Sequence, residues 1–125
     1  MARKNLKVIS VGSHPELLWL RDAVLRSAGF NVFSTSDVER GMESLEEGSC
    51  GVLLMCYSLP RLSRKRLAER FRLRCPFGRV VTVVNKKGKA RFADFVVYGI
   101  DGPEALLDAV RSASKETSLN RRGRA

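Results

Sequence analysis

Three side chains of this sequence carry chemistry that can act on another molecule: the thiol of Cys56, the imidazole of His14 and the hydroxyl of Ser13. A thiol close to an imidazole is drawn toward the thiolate, which is both the nucleophilic form and the soft-metal ligand. Cys56 ends the apolar run Val52-Leu53-Leu54-Met55-Cys56, and Gly12-Ser13-His14-Pro15 ends the run Leu6-Lys7-Val8-Ile9-Ser10-Val11. If both runs are strands of one parallel sheet, all three side chains meet at its carboxyl edge, where open α/β sheets place their sites. Small neutral residues filling a corner explain the same pattern. Two candidate ligands are too few for zinc, and nothing nearby in the sequence supplies an oxyanion hole. The expectation is no catalytic residue, no metal and no cofactor.

The second concentration of chemistry is charge. The formal net charge is +10, and residues 61–91 hold 12 Lys and Arg against one acid, Glu69, while the rest of the chain is almost balanced. Arg64, Lys65, Arg70 and Arg72 fall on the outer face of an expected helix, and Lys86, Lys87, Lys89 and Arg91 in the loop that follows the next strand. Such a surface attracts nucleic acid, anionic lipid or an acidic protein. A solvated basic face accounts for it equally well. The stretch has no interleaved aromatics to stack on bases, since Phe71 is expected to face the core, and no helix-turn-helix signature is visible. Electrostatic binding of nucleic acid through residues 61–91 stands as the alternative function.

The elements that must position these groups are legible in the hydrophobic pattern. Val52–Cys56 is apolar without alternation, the mark of a strand buried on both faces, and Pro60 stops it. Leu6–Val11, Phe30–Phe33, Val80–Val84 and Phe95–Tyr98 read as four more strands. Between them, apolar residues at helical spacing predict helices from Glu16 to Ala28, from a Ser36 or Asp37 cap to about Glu47, from a Ser63 cap to about Leu73, and from Gly102-Pro103-Glu104 to about Ala113. Ser13 or His14 is expected to cap the first helix, with Arg21, Asp22 and Arg26 on its outer side. Because Leu17, Leu18, Trp19 and Leu20 are consecutive, one must face outward, and Trp19 is the candidate for a partner contact. Alternating strands and helices make a doubly wound parallel sheet.

Length allows one domain, here residues 1–114, followed by a polar, basic tail over 115–125 that is expected to be disordered. No apolar run approaches the roughly 20 residues that span a bilayer, and no signal-peptide core follows the basic start, so a cytoplasmic protein with no membrane partner is expected. Three cysteines, an odd number without C-x-x-C spacing, argue against a disulfide framework and a zinc ribbon.

Over about residues 5–113 this order of elements resembles the receiver domain of bacterial response regulators, a flavodoxin-like fold with strand order 2-1-3-4-5. The local marks are Val52-Leu53-Leu54-Met55-Cys56-Tyr57-Ser58-Leu59-Pro60, Phe92-Ala93-Asp94-Phe95-Val96-Val97-Tyr98 and Gly102-Pro103-Glu104-Ala105-Leu106-Leu107. These resemble the family's third strand with its following proline, its lead-in to strand five, and the start of its last helix. The resemblance implies a phosphoacceptor aspartate, two acids that hold Mg²⁺, a hydroxyl ending strand four and a lysine ending strand five. Those positions fall here on Cys56, on Gly12 and Ser13, on Val84 (with Thr82 nearby) and on Gly99, and none matches. Mg²⁺ requires oxygen ligands, chiefly carboxylates, and phosphoryl transfer requires the metal and cationic charge around the moving group. The implied function is therefore a stand-alone, degenerate receiver-like domain. It would signal through an unidentified protein partner, without aspartyl phosphorylation, in an unknown oligomeric state. The eight residues between Val84 and Ala93 leave room for a loop or one turn where the family has a helix.

Overall fold

A computed structural model of the chain describes residues 7–48, 50–85 and 92–123. The expected central strand is β3, Cys50–Cys56, and every one of its residues is buried. It lies between β1 (Lys7–Val11) and β4 (Arg79–Val84), with β2 (Asn31–Thr35) and β5 (Phe95–Tyr98) at the edges. All pairings are parallel, in the order β2-β1-β3-β4-β5. This is the flavodoxin-like sheet expected from the alternating elements.

Successive residues of a strand face opposite sides of a sheet. One side carries Ile9, Val11, Leu53 and Met55 under α2 (Val38–Glu46) and α3 (Arg61–Arg74), packed with Leu45, Leu67 and Phe71. The other carries Val8, Val52, Leu54, Val81 and Val83 under α1 (Pro15–Ser27) and α4 (Gly102–Gly123), packed with Leu25, Leu106 and Val110. Asp37 caps α2 by accepting from the Glu39 and Arg40 N–H groups, at 2.9 and 3.4 Å. Gly102 opens α4 at φ +83°, a left-handed backbone that favours glycine. No described helix is long and apolar enough to cross a membrane.

Four expectations are corrected. Helix α3 starts at Arg61 with Pro60 as its N-cap, so Ser63 lies inside the first turn and caps nothing. Helix α4 does not stop near Ala113 but runs to Gly123. The apolar pattern fades after Ala113, yet polar contacts carry the helix on. Thr117, 1% exposed, places its hydroxyl 2.9 Å from both Gly51 O and Ala113 O, and Glu116 accepts from Arg79 Nε at 2.8 Å. The expected disordered tail is therefore helix through position 123. Third, Cys50 and Cys75 form a disulfide across 25 residues of sequence, with Cα atoms 6.2 Å apart. The parallel crossover brings the end of α3 back beside the start of β3, a proximity that cysteine spacing does not announce. Finally, two members of the Leu17–Leu20 run face outward and not one, since Leu20 is 52% exposed beside Trp19.

Between β4 and β5 the described residues contain no helix, in keeping with a shortened or missing element there. Asp94 organises the return instead. Its Oδ2 accepts from Val80 N at 2.7 Å and from Arg72 Nη1 at 2.9 Å, and its own N–H donates to Val80 O at 2.8 Å. One carboxylate thus ties the start of β4, the approach to β5 and the end of α3 together.

Candidate functional site

The carboxyl ends of β1 and β3 do meet. A Cβ built on Gly12 would lie 3.0 Å from Cys56 Cβ and 3.5 Å from Leu18 Cδ2, so the two strand ends abut and a side chain at position 12 would have to push its neighbours aside. Ser13 is committed to the loop after β3: its N–H donates to Ser58 Oγ at 2.9 Å and its hydroxyl to Ser58 O at 3.0 Å. The Tyr57 N–H donates to Val83 O at 2.8 Å, which continues the β3–β4 ladder past Cys56. His14 takes the N-cap of α1 without a side-chain cap bond and is exposed. It contributes position, not an imidazole contact. Gly99 lies beside the end of β4, where a Cβ would sit 3.7 Å from both Val83 Cγ1 and Val84 O. Gly12, Ser13, Cys56, Val84 and Gly99 therefore share one edge. Thr82 is two residues short of it and 1% exposed, with a hydroxyl that has no hydrogen-bond partner.

The sequence reading missed the group that gives this corner its charge. Arg21, expected on the outer side of α1, is half-buried and lies near enough to Cys56 for its charge to act on the thiol. The signal was present: Leu17, Arg21 and Val24 sit at i, i+4 and i+7, on one helical face. Burial pushes the Cys56 thiol up, but hydrogen bonds from the Ser58 side chain and backbone, then the hydrogen bond and charge of Arg21, more than offset it. The net direction is downward, toward the thiolate. Cys56 is nevertheless 2% exposed, so a low thiol pKa is not accompanied by access. No group of three or more His, Cys, Asp or Glu side chains suited to a metal occurs among the described residues.

The basic surface is not what its sequence suggests. Arg66 pairs with Glu39 at 3.0 Å, and Arg70 and Arg74 both pair with Glu46, at 3.3 and 3.6 Å. Arg72 pairs with Asp94 at 2.9 Å and Lys65 with Glu69 at 4.0 Å. Much of the α3 charge is thus spent on docking α3 against α2 and the β5 approach. Of the expected contact residues Arg64, Lys65, Arg70 and Arg72, only Arg64 has no carboxylate partner among the described residues, and its Nε is buried without a hydrogen bond. Lys86, Lys87, Lys89 and Arg91 lie outside the described residues. Trp19 is 69% exposed and Leu20, next to it in the run, is 52% exposed.

Solved structures similar to this chain share one architecture. A CheY-like response regulator receiver domain protein from Methanospirillum hungatei superposes with a TM-score of 0.79 at 17% identity, over 91% of this chain and 97% of that one. The chain has the receiver fold. The signal receiver domain of an HD domain-containing protein from Pseudomonas fluorescens gives 0.81 at 13% identity, covering 95% of this chain and 93% of its own. That of a putative LuxO repressor protein from Vibrio parahaemolyticus gives 0.80 at 13% identity, covering 97% and 98%. No family model matches the sequence, and no curated protein does. On the receiver fold, the corner of Gly12, Ser13 and Cys56 is where the expected pattern has carboxylates and Mg²⁺. The residues present do not fit that ion. Gly12 has no side chain, Ser13 is bonded to the loop, and Cys56 offers sulfur to a cation that takes oxygen.

Proposed function

We propose that this chain is a degenerate receiver domain that signals by contact with a partner protein and takes up no phosphoryl group by the aspartyl route. One observation carries the reading: the described residues of the corner between β1 and β3 hold no carboxylate, and a Cβ added at Gly12 would come within 3.0 Å of Cys56 Cβ. Phosphoryl transfer on this fold needs an acceptor carboxylate, a metal seat and a cation for the developing charge. Arg21 supplies a cation near Cys56, but the other two are missing. The domain acts in the cytoplasm and is no enzyme. Trp19, exposed on α1, is the side chain best suited to anchor a partner. The ion pairs that occupy Arg66, Arg70, Arg72 and Arg74 do not favour the nucleic-acid alternative.

The test is incubation with Mg²⁺ and acetyl phosphate, read by intact-protein mass spectrometry. No phosphorylated species is expected, and a stable phosphorylated form would overturn the reading. A duplex or single-stranded nucleic acid that bound with a steep salt dependence would restore the alternative.

A further inference from the structure

The half of the carboxyl edge that a strand-five lysine would occupy is hollow. A cavity of about 300 Å³ lies between α1 and α4, over the ends of β4 and β5. Leu17, Leu20 and Val24 of α1, Val83 and Val97 of the strands and Leu106 of α4 give it apolar walls. Gly99 and Gly102 keep it open, since a Cβ on Gly102 would meet nothing within 4 Å. Arg21 is the one charged residue of its lining, and no carboxylate pairs with Arg21 among the described residues. The volume is at the lower limit of small-molecule sites, about 300 to 1,000 Å³.

We propose that this cavity binds a small amphipathic monocarboxylate, its apolar body against Leu17, Val24, Val97 and Leu106 and its carboxylate on Arg21. The walls exclude a polar ligand, because burying polar groups without partners is costly. An apolar ligand with no anion would leave the guanidinium desolvated beside it with only a thiol for company. A carboxylate meets both demands, since guanidinium and carboxylate match as a planar, charge-assisted pair. A carboxylate here would also offset the Arg21 charge that acts on Cys56, so occupancy of the cavity and the state of the corner are linked. This site stands whether or not the domain signals without phosphorylation.

Hexanoate and phenylacetate serve as probes, each against its neutral amide, followed by backbone amide NMR shifts on the whole chain. The acids are expected to bind at least about tenfold tighter than the amides, the effect of one charge-assisted pair. The shifts should centre on Leu17, Arg21, Val24, Gly99, Gly102 and Leu106. In Arg21→Met the acid-to-amide ratio should fall close to one, while Arg21→Lys keeps part of it. The wild-type acid–amide comparison decides the matter even if a variant fails to fold. Equal binding of acid and amide, no binding of either at millimolar concentration, or shifts centred on α3 would each overturn the proposal. So would self-association that shifts these same residues without acid binding, which would assign the cavity to a second copy of the chain.

Discussion

Gly12→Ala tests the closed corner with a single methyl group. Gly12 has no left-handed φ, so its backbone gives no reason for glycine; space does. An added Cβ would come within 3.0 Å of Cys56 Cβ and 3.5 Å of Leu18 Cδ2, where carbon atoms prefer about 3.5–4.0 Å. The neighbours have little freedom to retreat, because β3 is buried along its whole length and Leu18 is on the buried face of α1. Overpacking of this kind costs about 1–3 kcal/mol. Alanine also restricts the unfolded chain, which returns about 0.4–1 kcal/mol. The net expectation is a loss of about 1–2 kcal/mol, read in urea as a lower midpoint with an unchanged slope. Gly12→Asp should lose more, since a carboxylate would be forced into the same space. Cys56→Gly removes the opposing Cβ, so Gly12→Ala in that background should cost less, with a coupling of about 1 kcal/mol in the double-mutant cycle. If Gly12→Ala stabilises the protein, or the cycle is additive, the strand ends do not press on each other and the corner has room for an acid after all.

Three further outcomes follow from the same contacts. Because the folded Cys56 thiol titrates below its unfolded value, the unfolded chain binds more protons in the window between the two. Stability should therefore rise with pH across that window, up to the ordinary thiol range near about 8.5, and fall away on the acid side; Cys56→Ser should flatten the profile measured by thermal melts. Asp94→Ala strips the Val80 N–H and Arg72 of their acceptor and should cost about 1–3 kcal/mol by urea titration, with Asp94→Asn recovering part of it. Thiol titration of unfolded protein should count one thiol before reduction and three after, and reduction should lower the stability measured by urea titration by about 3 kcal/mol. A chain working in a reducing cytoplasm would carry that pair as thiols, so the same titration on protein quenched at lysis reports its compartment.

The sheet was legible because strand burial writes itself into residue type. The unbroken Val52–Cys56 run could be little else, and Val80–Val84 is β-branched throughout. Gly12, Ser13 and Cys56 could be placed together because parallel topology puts consecutive strand ends at one edge. What escaped were the contacts made by polar side chains across long separations. Arg21 reads as a surface residue until the thiol its charge acts on is known, and the Thr117 hydroxyl reaches Gly51 across 66 positions. The basic stretch misled for the opposite reason: its partners Glu39 and Glu46 lie on a different helix, where a count over 61–91 does not find them.

The last helix is held at opposite edges of the sheet. Near its start it packs through Leu106 among Val81, Val83 and Val97, and near its end Thr117 and Glu116 fasten it to Gly51 and Arg79. A rod fixed at two distant points resists sliding and tilting alike. Information passing along that flank would have to travel as a change in what its surface presents, not as a stroke of the rod itself.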